Sequence, residues 1–143
     1  MQSWGLTDQG CVRKQNQDAY HIEQLDRASL LCIVCDGMGG AKSGNIASSL
    51  AVDVFVEEVR RTWTPGITQH KLEQMLRSAV KLANFTVFDQ AQQFEDFAGM
   101  GTTLVAAYIE GGCGTVVNVG DSRCYLLNRS GVRCVTTDHS LVQ

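Results

Sequence analysis

Three aspartates in this sequence lie where a predicted strand begins or ends, beside glycine or other polar residues: Asp18, Asp36 and Asp121. If the fold brings these strand ends together, the three carboxylates form a cluster. Like charges held close together repel one another, and a bound cation removes that penalty. Hard divalent cations such as Mg²⁺ and Mn²⁺ prefer carboxylate and carbonyl oxygens. The aspartates are therefore candidate metal ligands, provided that the fold assembles them.

Asp36 lies within the segment LCIVCDGMGG, residues 31–40. Residues 32–35 are apolar and partly β-branched and stop at turn residues, which is typical of a buried strand. The glycines at 37, 39 and 40 allow unusual backbone conformations and a close approach of a ligand to the main chain. Asp36 in this setting is compatible with a metal ligand and equally with a solvated cap of the next helix.

Arg13 precedes Asp18 by five positions. A guanidinium beside a metal–carboxylate site can grip a phosphate through two hydrogen bonds. The alternative is an ordinary surface arginine, and the residue type alone favours that alternative.

The remaining nucleophilic and basic residues do not form a recognisable catalytic set. His21 is predicted in a strand, His70 on the polar side of a helix and His139 in the final loop. Ser122 follows Asp121, but no base is placed near it, so no serine–histidine–acid arrangement is indicated.

Composition favours a single globular domain. The chain has 143 residues, of which 44% are hydrophobic, and only one proline. The net charge of −3 and the lack of a basic stripe argue against a nucleic-acid partner. No apolar run has the length of a membrane span, and the N-terminus lacks the pattern of a signal peptide. We therefore expect a cytoplasmic protein.

The six cysteines are then expected to be reduced and mostly buried. Cys32 and Cys35 form a C-x-x-C, but residues three apart in a strand point to opposite faces. A shared metal or a disulfide between them is not expected.

The hydrophobic pattern predicts an α+β fold in which strands are followed by two helices and then by further strands. Helices are predicted over residues 44–63, with Ser43 as the N-cap, and 69–93, with Thr68 as the N-cap. Apolar side chains at helical spacing should pack both helices side by side on a sheet. The short connections after residue 101 favour an antiparallel meander. Strands are predicted at residues 3–8, 18–25, 30–35, 102–109, 115–119, 123–127 and 132–136.

Four motifs and the tail, in this order, resemble the metal-dependent Ser/Thr protein phosphatases of the type 2C (PPM) family in their bacterial form. They are R-x-x-N-x-D at 13–18, V-x-D-G-M-G-G at 34–40, G-T-T-L at 101–104, G-D-S-R-x-Y at 120–125 and T-x-D-H-S-L-V-Q at 136–143. Each motif is moderately specific, and their order around a pair of helices is highly specific. The resemblance extends over the whole chain.

The resemblance implies a role for each matching residue. Asp36 matches the carboxylate that bridges two catalytic metals, and Gly37 the residue that offers its backbone carbonyl to one of them. Asp18 matches an acid near that metal, and Asp121 an acid associated with a further, weaker metal. Arg13 matches the arginine that holds the substrate phosphate.

The family's chemistry is metal-dependent hydrolysis of phosphoserine and phosphothreonine in proteins. The resemblance implies two Mn²⁺ or Mg²⁺ ions, with room for a third, and a hydroxide between two metals as the nucleophile. The implied partners are phosphorylated proteins, which we expect to be the substrates of a bacterial Ser/Thr kinase, and neither nucleic acid nor a membrane is expected as a partner.

Three positions depart from the family pattern. Gln17 stands where many members have Glu, Met38 where some carry a histidine proposed as general acid, and Ala41 where bacterial relatives often have histidine. The proton for the leaving group must therefore come from another source, such as metal-bound water.

The family fold is a pair of antiparallel sheets packed face to face, with a helix pair on each outer side. Residues 1–143 match the N-terminal part of that single catalytic domain, so we expect a sandwich incomplete at its C-terminus. Two further metal-binding acids should lie in the remaining part. The chain alone should therefore have little activity.

Two other functions are compatible with parts of this sequence. One is a non-catalytic relative, a pseudophosphatase, that binds a partner or a phosphorylated ligand; the retained acids and Arg13 argue against it. The other is an unrelated α+β domain whose glycine turn holds a nucleotide phosphate without a divalent metal. That function leaves the ordered motifs unexplained.

Overall fold

A computed structural model of the chain describes residues 1–39 and 43–139. In this part, a five-stranded antiparallel sheet carries a pair of helices on one face, and a separate two-stranded hairpin follows. The α+β class and the antiparallel sheets predicted from the sequence are confirmed. The strands are β1 Asp18–Gln24, β2 Ser29–Met38, β3 Gly101–Thr102, β4 Leu104–Glu110, β5 Cys113–Val119, β6 Tyr125–Asn128 and β7 Gly131–Cys134.

Strand β2 is the organising strand of the main sheet. It pairs with β1 on one side and with β3 and β4 on the other, and β5 follows β4. β1 and β2 form an antiparallel hairpin. Its turn is held by Asp26, whose Oδ1 accepts hydrogen bonds from the backbone N–H groups of Ala28 and Ser29.

The two helices are α1 Gly44–Thr62 and α2 Gln69–Gln93, which lie within a residue of their predicted bounds. The Thr68 hydroxyl accepts a hydrogen bond from Lys71 N–H and caps α2, as predicted. Ser43 precedes α1, but its side chain makes no capping hydrogen bond. Ser43 therefore occupies the predicted N-cap position, but it makes no capping bond because its backbone angles are helical rather than extended.

The core lies between the helix pair and one face of the sheet. Alternate residues of β2, namely Leu31, Ile33 and Cys35, pack against the apolar sides of the helices, where Phe55 and Leu76 are fully buried. Burial raises the pKa of the Cys35 thiol to about 12, so this cysteine behaves as a core residue. Cys32 is half-buried on the other face of the sheet, as the strand period requires.

Two strand predictions are corrected by the structure. Residues 3–8 form no strand within the described part of the chain, and Trp4 and Leu6 are 82% and 92% exposed. Their apolar alternation resembles a strand, but a strand also needs neighbouring backbone groups to pair with. The strands after residue 101 also do not form the single meander that was predicted. β4 and β5 belong to the main sheet, whereas β6 and β7 form a separate two-stranded sheet.

Within residues 1–39 and 43–139, neither helix has the length and apolar character needed to cross a membrane.

The end of β2 lies directly against the start of α1. A Cβ added to Gly37 would overlap the carbonyl oxygen of Gly44 and lie 2.7 Å from the carbonyl oxygen of Gln17. A Cβ added to Gly44 would lie 2.7 Å from the Gln17 side-chain carbon Cδ. The strand, the preceding loop and the helix can approach this closely only because both positions are glycine.

Replacing Gly37 with alanine should therefore destabilise the fold by about 3 kcal/mol or more, since the added methyl meets backbone atoms that cannot move aside. Gly114→Ala is the matched control, because an added Cβ on this strand glycine meets no atom within 4 Å. Urea denaturation of both variants measures the difference. Equal stability of Gly37→Ala and Gly114→Ala would contradict this packing.

Candidate functional site

Asp18 and Asp36 face one another across the β1–β2 pair. Asp18 is the first residue of β1 and is the direct partner of Asp36 in the antiparallel register. The Asn16 side chain fixes the entry into β1, because its Oδ1 accepts a hydrogen bond of 3.0 Å from Asp18 N–H. Two carboxylates that are far apart in sequence thus lie side by side at one end of the sheet.

The pKa of Asp36 shows how these groups influence one another. Loss of hydration raises it above its ordinary value, and the adjacent Asp18 carboxylate raises it further. The Arg13 guanidinium lowers it, and Asp121 makes a smaller contribution that raises it. The three other side chains predicted from the sequence, Arg13, Asp18 and Asp121, are therefore close enough to act on Asp36.

Arg13 is exposed and lies in the loop before β1. Its carbonyl oxygen accepts a hydrogen bond of 2.7 Å from the Gln9 side-chain amide. Its positive charge acts on Asp36 while the side chain stays open to solvent. An arginine in this position can contact an anion that approaches the two carboxylates.

Asp121 follows the end of β5 in a turn where Gly120 has a φ of +95°. This conformation is one that side-chain-bearing residues rarely adopt. A Cβ on Gly120 would lie 2.7 Å from Thr103 Cγ2, so glycine also permits close packing at this turn.

The structure does not support Asp36 as a helix cap. Asp36 lies inside β2, which continues to Met38, and α1 begins only at Gly44. The Asp36 carbonyl oxygen accepts hydrogen bonds from Thr103 N–H at 2.9 Å and from the Thr102 hydroxyl at 3.0 Å.

Thr103 and Ser122 lie at the site through contacts that the sequence did not predict. The Thr103 hydroxyl accepts the hydrogen bond of Asp36 N–H at 2.9 Å and lies 2.6 Å from the Ser122 hydroxyl. Both residues stand in the motifs G-T-T-L and G-D-S-R-x-Y, so the motifs pointed to them. Their contact with Asp36 could not be derived from spacing.

The donor set suits a hard divalent cation. The two facing carboxylates are the oxygen ligands that Mg²⁺ and Mn²⁺ prefer, and a cation would offset the repulsion that raises the Asp36 pKa. Gly37 N–H donates to the Gln17 carbonyl at 3.0 Å.

The ligand set is nevertheless partial. Among residues 1–39 and 43–139, no group of three acidic, histidine or cysteine side chains is arranged to hold a metal ion. Asp121 acts on Asp36 electrostatically without joining Asp18 and Asp36 in such a group.

The tail is fastened to the same end of the molecule. Arg123 makes a two-pronged ion pair with Asp138, with N–O distances of 2.6 and 3.0 Å, and it lowers the Asp138 pKa. His139 N–H donates to the Gly120 carbonyl at 3.0 Å. Residues 140–143 of the tail motif, together with Gly40 and Ala41, lie outside the described residues.

The model of the family described as protein phosphatase 2C matches residues 12–140. A serine/threonine phosphatase, stp, from Listeria welshimeri is 38% identical over 136 residues, which cover 95% of this chain and 54% of that protein. The structure of the serine/threonine phosphatase Stp1 from Staphylococcus aureus superposes with a TM-score of 0.86 and 37% identity, covering 94% of this chain and 52% of that chain. The catalytic domain of PstP in complex with two manganese ions gives a TM-score of 0.76 and 32% identity, covering 94% of this chain and 54% of that chain.

The chain spans about half the length of the Listeria relative that it matches. The family match excludes the unrelated nucleotide-binding domain considered as an alternative. It covers almost the whole chain and includes Arg13, Asp18, Asp36 and Asp121, and the chain therefore belongs to the protein phosphatase 2C family.

Proposed function

We propose that the protein containing this chain is a metal-dependent phosphatase that hydrolyses phosphoserine and phosphothreonine in proteins. The observation that carries this proposal is the pairing of Asp18 with Asp36 across β1 and β2, with Arg13 in electrostatic range. The family membership of the chain and the named phosphatases among its relatives support it.

In this proposal the metal ligands of the chain are Asp36, the Gly37 carbonyl and Asp18, with Asp121 near a further metal position. Bound Mn²⁺ or Mg²⁺ would polarise the phosphoryl group and a water molecule and would offset charge on the attacking and leaving oxygens. The residues of the chain hold the carboxylates in register before any ion binds, so little reorganisation is needed.

Arg13 is the proposed substrate-binding residue. Its guanidinium presents two N–H groups that match two phosphate oxygens, and its charge lies close enough to Asp36 to lower the pKa of that carboxyl. The proposed substrates are phosphorylated proteins, and a bacterial Ser/Thr kinase would supply them. We also propose that the protein acts in the cytoplasm.

Substitution of Asp36 by asparagine should weaken Mn²⁺ binding to the chain by at least about tenfold, since the variant loses one of two facing carboxylates. Asp96→Asn, an exposed position in the turn after α2, is the matched control and should bind as the unaltered chain does. Mn²⁺ electron paramagnetic resonance measures the free ion directly. Equal affinity of Asp36→Asn and the unaltered chain would remove Asp36 from the site.

Substitution of Arg13 by lysine in the full-length protein should lower kcat/KM for a phosphothreonine peptide by about 10- to 100-fold, the value of a lost charged hydrogen bond. Lysine keeps the charge but lacks the two-pronged geometry, so a smaller loss than that of Arg13→Ala is expected. Arg129→Ala, in the exposed β6–β7 turn, should leave kcat/KM unchanged. Unchanged kcat/KM in Arg13→Ala would assign phosphate binding to another residue.

We also propose that the 143-residue chain alone has little or no activity, because it supplies only a partial ligand set. The test is hydrolysis of a phosphopeptide by the purified chain with Mn²⁺. Sustained Mn²⁺-dependent turnover that Asp36→Asn abolishes would contradict this proposal while supporting the assignment of Asp36.

A further inference from the structure

The antiparallel ladder is irregular where β2 carries Asp36. Asp36 and Thr103 stand opposite each other, and in a regular ladder such a pair exchanges two backbone hydrogen bonds. Thr103 N–H does donate to the Asp36 carbonyl at 2.9 Å. The return bond from Asp36 N–H goes instead to the Thr103 side-chain hydroxyl, also at 2.9 Å. This side chain replaces a backbone acceptor and accounts for the break between β3 and β4 at Thr103.

The Thr103 side chain is held in place by its surroundings. The residue is only 3% exposed, and its methyl group packs against Gly120 so closely that a Cβ there would lie 2.7 Å from it. A β-branched side chain has few rotamers, and this contact selects one of them. The hydroxyl is consequently directed toward Asp36 N–H.

Ser122 completes the arrangement from the other side. Its hydroxyl lies 2.6 Å from the Thr103 hydroxyl, and one of the two donates a proton to the other. The Thr103 oxygen already accepts a hydrogen bond from Asp36 N–H. The bond with Ser122 uses either the hydroxyl proton of Thr103 or the second lone pair of its oxygen, and so fixes the orientation of the hydroxyl. In a chain of hydrogen bonds each member polarises the next, which strengthens the bond to Asp36.

We propose that Thr103 and Ser122 form a hydroxyl relay that positions Asp36 for metal binding and couples it to the turn that carries Asp121. Both are positioning residues: they act on the Asp36 backbone and do not themselves contact the ion. The inference rests on the proposed function in treating Asp36 as a metal ligand. It adds that the G-D-S-R-x-Y turn acts on the β2 carboxylate through Ser122.

Two measurements on the full chain separate the geometry of the relay from its effect on the metal. The first is amide hydrogen exchange by NMR, comparing Asp36 with Val34, an amide in the same ladder opposite Val105. Ser122→Ala and Thr103→Val should speed exchange at Asp36 relative to Val34 by about tenfold, the effect of weakening one hydrogen bond. Thr103→Ser keeps the hydroxyl and should restore slow exchange at Asp36.

The second measurement is the Mn²⁺ dissociation constant of the same variants. Loss of a group that orients a metal ligand typically weakens binding by about 10- to 100-fold, and we expect this for Ser122→Ala. Ser130→Ala is the matched control, because within the described residues its hydroxyl makes no hydrogen bond and only its backbone N–H is engaged, by Asn128. Ser122→Ala keeps the test valid if Thr103→Val fails to fold.

The outcomes distinguish the two proposals. Faster exchange at Asp36 together with weaker Mn²⁺ binding in Ser122→Ala supports the relay. An unchanged exchange rate at Asp36 overturns the relay, regardless of the Mn²⁺ affinity. Faster exchange with an unchanged Mn²⁺ affinity makes the pair structural only and also overturns it. If the unaltered chain binds no Mn²⁺, the proposed metal site is contradicted, and with it the role of the relay in metal binding. The exchange rates then test only whether Thr103 and Ser122 hold the Asp36 N–H.

Discussion

The backbone of Asp36 is hydrogen-bonded on both of its peptide groups, and the geometry of the candidate site depends on this constraint. Thr103 forms hydrogen bonds with both the N–H and the carbonyl oxygen of Asp36. The register of β1 places Asp18 opposite Asp36. A carboxylate on a flexible loop would turn away from a neighbouring carboxylate. On two paired strands the repulsion cannot be relieved by moving the backbone, so it adds to the loss of hydration in raising the pKa of Asp36.

The helix pair contributes to the site by fixing the end of β2. Gly37 and Gly44 allow the strand and the start of α1 to approach without side chains between them, and Gln17 fills the adjacent space. The Ser48 hydroxyl on α1 also donates to the Gln17 carbonyl at 2.6 Å. The core formed by Leu31, Ile33 and Cys35 against the helices therefore stabilises the strand whose end carries the functional residues.

The described part of the chain leaves several apolar side chains exposed outside the main sheet. β6 and β7 form a two-stranded sheet whose residues are exposed, and Trp4 and Leu6 lie uncovered before β1. A two-stranded sheet buries too little apolar surface to be stable alone. The chain matches 54% of its Listeria relative.

The sequence by itself determined the helices, most strands and the identity of Arg13, Asp18, Asp36 and Asp121 as the residues of interest, because helical periods, turns and motifs are local patterns. It could not decide whether Asp36 caps a helix or lies within a strand beside another acid. Nor could it show that residues 3–8 lack a pairing strand, that the Thr103 hydroxyl replaces a backbone acceptor, or that Ser122 touches Thr103. These facts depend on register and on contacts between residues distant in sequence, which only the tertiary structure sets.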